Sequence, residues 1–155
     1  MSFRSDILSG IRDRVEDRFD VTNGSDLKLF RSVWRRAWRP GNKVRPACTV
    51  VDRGQRNAGR DDPDASKDVL LSYHLMIDLK EQWDRQTPYE DWSDNVQGII
   101  EALQNWLPVG CGVVTHDYVD DDPWEVELAH GAREEVWLIA MEVGYILDVE
   151  GRDRT

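Results

Sequence analysis

The segment DVLLSYHLMIDLK, residues 68–80, restricts the fold more than any other part of the chain. Val69, Leu71, Tyr73, Leu75, Ile77 and Leu79 recur at every second position. Successive side chains of a strand point to opposite faces, so this spacing makes one face continuously apolar. Leu70, Ser72, His74, Met76 and Asp78 fall on the other face.

Two segments predict helices. In residues 2–19, Phe3, Ile7, Leu8, Ile11, Val15 and Phe19 fall three or four apart with charges between them, the spacing of one helical face. Ser2 or Ser5 is suited to cap its start. In residues 87–107, Thr87 suits a cap, Pro88 the first helical position, and Glu90 the third position of a capping box. Trp92, Val96, Ile99, Ile100, Leu103 and Leu107 form its apolar stripe, and Pro108 and Gly110 end it.

The remaining elements read as strands and turns. Residues 27–38 and 44–52 predict strands, with Pro46 placing the second at an edge or a strand start. Residues 53–67 lack any large apolar side chain and read as a polar loop, of a length associated with function or disorder. Three further strands are expected at 112–119, 124–130 and 134–149, with Asp121-Asp122-Pro123 as a bend between the first two and a hairpin turn at 131–133. The order α-β-β-β-α-β-β-β predicts an α+β fold: a largely antiparallel sheet with two α-helices packed on one face. A single domain over residues 1–150 is expected, followed by a frayed polar tail at 151–155.

Charge is distributed unevenly along the chain. The formal net charge is −10. Residues 1–30 carry a net −1, residues 31–60 a net +8, and residues 61–155 a net −17. A chain with one basic segment and an acidic remainder is suited to grip a polyanion, or to pair the basic face of one copy with the acidic face of the next. No apolar run approaches the roughly 18 residues of a membrane helix, and the N-terminus has no apolar signal core. A soluble, unexported protein without membrane partners is expected.

Sequence motifs of catalysis are missing. GQRNAG, residues 54–59, is not followed by Lys-Ser/Thr and opens no helix, so it makes no phosphate cradle. No Gly-x-Ser-x-Gly, His-Glu-x-x-His or Cys-x-x-Cys pattern occurs. Residues 61–68 resemble a calcium loop but lack its Gly and its closing Glu. Asp120, Asp121 and Asp122 invite a metal-dependent hydrolase reading with His116, yet strand alternation sets Asp121 on the face opposite Asp120 and Asp122. No enzyme activity and no cofactor are expected. Cys48 and Cys111 read as buried or half-buried thiols. Arginines interleaved with Trp34 and Trp38 also suit a nucleic-acid surface, against which stands an isoelectric point near 4.7.

The order of these parts carries a resemblance. An amphipathic helix leads to RPACTVVDRG and a polar loop, then to the strand LLSYHLMIDLK and the helix WSDNVQGIIEALQNW, then to YVDDDPWEVELAHGAREEVWLIAMEVGY. Over roughly residues 1–147 this pattern resembles the tail terminator, or tail completion, proteins of long-tailed bacteriophages. The resemblance implies an α+β subunit of a hexameric ring that caps the tail tube and ends its polymerisation. It implies docking of the head through a connector or stopper protein, and passage of DNA through the lumen without specific binding. It also implies assembly in the host cytoplasm and a place in the virion at the head-proximal end of the tail. A head–tail connector or neck protein is the nearest alternative. No residue-level motif is carried over.

The charge split nominates the contact residues. Arg35, Arg36, Arg39, Arg53 and Arg56 are candidates for the basic side of a subunit interface. Asp120, Asp121, Asp122 and Glu125 are candidates for the acidic side. Arg60, Asp61, Asp62 and Asp64 in the polar loop are candidates for contact with the tube or connector.

Overall fold

In chain order the elements are α1 (Phe3–Phe19), β1 (Ser32–Arg35), β2 (Ala47–Asn57), β3 (Lys67–Gln82), α2 (Ser93–Leu103), β4 (Val113–Glu127) and β5 (Arg133–Leu147). The computed structural model describes residues 2–19, 30–41, 45–57, 67–82, 92–108, 112–128 and 131–147. Strand segment 27–29, the capping residues Thr87, Pro88 and Glu90, Cys111, His130 and the tail 151–155 lie outside the described residues.

The alternating segment becomes β3, the middle strand of a five-stranded sheet of order β1-β2-β3-β5-β4. β1 runs parallel to β2 and every other pairing is antiparallel. Leu71, Tyr73, Leu75 and Ile77 are fully buried. The register continues that face outward through Cys48 and Val50 of β2 and through Trp137, Ile139, Met141 and Val143 of β5. All of these belong to one core cluster with Ile7, Leu8, Ile11, Val15 and Phe19 of α1 and Val96, Ile99, Ile100 and Leu103 of α2. The fold is therefore α+β, a mostly antiparallel sheet with two helices on one face. Ser2 caps α1 as its spacing predicts, its Oγ accepting the N–H of Ser5 at 3.1 Å. Among the described residues, no helix is long and apolar enough to cross a membrane.

Several expected boundaries move. Among the described residues of the predicted helix 87–107, the helix spans Ser93–Leu103, with Trp92 at its N-cap. It stops early because Gln104 turns extended and Asn105 takes a left-handed φ of 66°, a conformation asparagine tolerates. Among the described residues of the predicted strand 27–38, the strand is Ser32–Arg35, with Phe30 in an isolated bridge. Beyond it the chain leaves the β1 edge, because Trp38 turns its indole N–H to Asp78 at 3.0 Å.

The polar loop expected at 53–67 is strand at both ends. Gln55, Arg56 and Asn57 pair with Leu71, Leu70 and Val69. Backbone pairing to an apolar neighbour outweighs their own polarity, since strand preference is mostly context. Gly54, at φ 96°, lies within the shifted register between Asp52 and Gln55 and donates its N–H to Asp52 at 2.8 Å. A positive φ of that size costs a side-chain-bearing residue and suits glycine at a bulge.

In the last third, two strands replace the expected three. Asp121-Asp122-Pro123 makes no bend: β4 runs unbroken through it, paired to β5 on one side. An edge strand tolerates proline because a missing N–H is lost to solvent rather than to a ladder. The irregularities fall elsewhere, as register shifts around Val114 and Val119.

Thr115 lies opposite Gly144 of β5, and its Oγ1 accepts the Gly144 N–H at 3.1 Å. A Cβ on Gly144 would collide with that hydroxyl. Gly144→Ala is expected to lower stability by about 1–3 kcal/mol, the cost of overpacking a tight site. Urea unfolding checks this, and adding Thr115→Ala in the same chain should recover part of the loss.

Candidate functional site

The strand order separates the two sets of candidate residues. Arg35 ends β1, Arg36 and Arg39 follow it, and Arg53 and Arg56 lie on β2. Asp120, Asp121, Asp122 and Glu125 all lie on β4. β1 and β4 are the two outer strands of the sheet. Four strand spacings of about 4.8 Å put the edges roughly 19 Å apart. Arg35, Arg36, Arg53 and Arg56 are thus gathered toward the β1–β2 edge and the acidic residues lie on β4 at the other, whereas Arg39 lies between Trp38, which meets Trp124 of β4, and Gly41, which bonds Glu134 of β5. Arg60, Asp61, Asp62 and Asp64 lie outside the described residues.

Within each set the side chains differ in what already holds them. Arg35 donates from Nη1 to Ser9 Oγ of α1 at 3.2 Å. Arg36 stacks over the Trp34 ring at 4.3 Å from its centroid, a contact worth about 0.5–1 kcal/mol at exposed sites. Arg56 lies 3.6 Å from Glu142. Arg39 and Arg53 are exposed.

On β4, Asp121 is half-buried and accepts hydrogen bonds from the Tyr118 hydroxyl and, at 2.8 Å, from Trp137 Nε1. That bond to the carboxylate pushes the Tyr118 hydroxyl up to about 12. Glu125 pairs with Arg133 at 3.2 Å. Asp120 and Asp122 are exposed, on the face that also carries Leu138 and Ala140 of β5. Asp121 therefore serves the fold, whereas Asp120 and Asp122 face outward.

His116 does not join those acids. It lies on the helix side of β4, opposite Val143, so the constellation of Asp120, Asp122 and His116 does not converge. Its Nδ1 hydrogen-bonds the Trp106 carbonyl at 2.8 Å and its Nε2 meets the Tyr73 hydroxyl at 2.5 Å. A carbonyl only accepts, so Nδ1 bears the proton and Nε2 accepts from Tyr73. Among the described residues, no group of three or more His, Cys, Asp or Glu could hold a metal ion. Cys48 is a buried free thiol whose pKa burial raises, as expected of an inert packed cysteine.

A second cluster escaped the sequence reading. Asp78, Glu134 and Glu135 are buried carboxylates. Asp78 accepts the Trp38 indole N–H, and Glu134 accepts the Gly41 N–H at 2.8 Å and Arg45 Nε at 3.1 Å. These bonds tie Trp38, Gly41 and Arg45 across the face of the sheet that the helices leave open. Trp38 meets Trp124 of β4 there, ring centroids 5.8 Å apart. The two rings border a groove floored by Val51, Met76 and Leu138, with Arg53 and His74 also lining it. One signal was present in the sequence: Leu70 and Met76 share the second face of β3 with Asp78, so that face was never fully polar.

Set against known proteins, the chain matches no protein-family model and no curated protein.

Two outcomes follow from this geometry. Asp121→Ala should cost about 1–3 kcal/mol by stranding Tyr118 and Trp137, while Asp122→Ala should stay within about 0.5 kcal/mol of the parent; chemical denaturation of both variants compares them. The second concerns acid. Burial lowers the pKa of His116 below the ordinary histidine value, against the opposing bond to Trp106, and burial likewise lowers that of His74. The unfolded chain then takes up these protons first. Their contribution to stability is complete above about pH 6.5 and declines as pH falls below it. Urea midpoints across that range should show the decline, with a shallower slope in His116→Gln.

Proposed function

We propose that this chain is a structural subunit of a phage tail terminator: a protein that closes into a ring, hexameric in the manner of that family, on the end of a tail tube. The observation that carries the proposal is the placement of Arg35, Arg36, Arg53 and Arg56 toward one edge of the sheet and of Asp120, Asp122 and Glu125 on the outer strand at the other. A subunit that is basic at one edge and acidic at the other is complementary to a copy of itself placed head to tail. Repeated around an axis, such a heterologous contact closes into a ring when the rotation per subunit allows it. The order of elements resembling the tail terminator proteins supports the same reading. In this role the tail tube protein and a head connector or stopper are the further partners, the subunit sits at the head-proximal end of the tail, and DNA traverses the lumen without sequence-specific contacts.

The purified protein should form rings visible by negative-stain electron microscopy, either alone or at the ends of tail tubes. Added during tube polymerisation, it should shorten the length distribution. A chain that remains monomeric by light scattering at high concentration, and that neither binds nor caps tubes, would sink this reading.

A further inference from the structure

The ring reading leaves open which surfaces meet. We propose, resting on that reading, that copies join edge to edge: β4 of one copy lies along the β1–β2 edge of the next, with Asp120 and Asp122 facing Arg36 and Arg53.

Three observations converge on this contact. The first is sidedness. Trp34 lies opposite Thr49, on the sheet face that the helices leave uncovered, and Arg36 stacks on it. Arg53 borders the groove on that same face beside His74. Asp120 and Asp122 stand on that face too, at the far edge. Copies related by rotation about a ring axis keep the same face in the same sense. Setting one sheet edge beside the next therefore brings the two sets together without turning either over.

The second is exposed apolar surface. Trp34, Val114, Val119 and Trp124 are large hydrophobic side chains exposed to solvent, between 36% and 55%. Trp34 belongs to β1 and the other three to β4. The β1–β2 edge and β4 thus carry both the complementary charges and the apolar contacts that would be buried between them.

The third is the state of the backbone edges. Among the described residues, β1 pairs with β2 over Ala47–Val50, so β1 does not cover the part of β2 that follows Val50. β4 carries register shifts around Val114 and Val119 and offers no N–H at Pro123, features that discourage a continuous ladder on its outer side. The contact is accordingly made by side chains. Its specificity follows from charge. Two β4 edges set against each other would oppose Asp120 and Asp122 to like charge, and two basic edges would do the same. Only the unlike pairing attracts, which excludes a two-fold dimer and leaves the head-to-tail arrangement.

The test uses sedimentation velocity on the full chain, with circular dichroism to verify folding. Arg36→Glu with Arg53→Glu, and separately Asp120→Lys with Asp122→Lys, should each weaken self-association roughly 100-fold. Mixing the two variants in equal amounts should restore it, since each supplies the edge that complements the other. Asp94→Lys with Glu101→Lys on α2 makes the same change in charge and should assemble as the parent does. If a reversed variant fails to fold, Asp120→Asn with Asp122→Asn replaces it, with a smaller loss expected and a weaker dependence on salt. Parent rings that persist in both reversed variants, or a mixture that stays dissociated, overturn the edge contact while the ring reading stands. A parent chain that never assembles, alone or on tubes, overturns both.

Discussion

The register of β3 between β2 and β5 is the constraint on which the rest depends. A slip by one residue would turn every side chain of β3 to the opposite face, moving Leu71, Tyr73, Leu75 and Ile77 out of the core and Ser72, His74 and Asp78 into it. Both helices pack against the face so defined. On the other side the same register leaves Asp78 where Trp38 reaches it. The open face, the groove between Trp38 and Trp124, and the outward position of Asp120 and Asp122 all follow from that one choice of sides.

The buried carboxylates Asp78 and Glu134 and the buried His116 stabilise this arrangement because each has a partner. Asp78 and Glu134 accept bonds from an indole, a backbone amide and a guanidinium, and His116 is held between a hydroxyl and a carbonyl. Removing one partner of such a group is far more costly than the bond itself contributes, because the other is left desolvated. The segment after β1 is consequently fastened to the sheet, and Trp34 and Arg36 are presented at its edge rather than folded over it.

Much of this was legible in the sequence, and the failures have physical causes. The helix of residues 2–19 and the strand of residues 68–80 were found almost to the residue, because their periodicities are long and unmixed. Residues 55–57 suggest a loop because they are polar, but their pairing with Val69, Leu70 and Leu71 is a tertiary fact. Asp121-Asp122-Pro123 suggests a bend because proline and acids mark turns; on an outer strand the same residues are tolerated without one. The alternation of the three aspartates held, while the distinction between them did not show: Asp121 is engaged only because Trp137 and Tyr118 come to it.

The sequence by itself determined the class of fold, the side of β3 that faces the core, and the segregation of charge between residues 31–60 and the remainder. Each is written in local order, as a period of two, a period of three to four, or a run of like charge. The tertiary structure decided where those charges sit and which remain available. The strand order carries Arg35, Arg36, Arg53 and Arg56 toward one edge and the acidic strand to the other, it sends Arg45 across the open face to Glu134, and the register sets Asp120 and Asp122 on the same face as Trp34. Pairings between residues such as Trp38 and Asp78, or Thr115 and Gly144, join positions far apart in the chain. Periodicity records which face a residue takes on its own element, and carries no information about which distant element that face will meet.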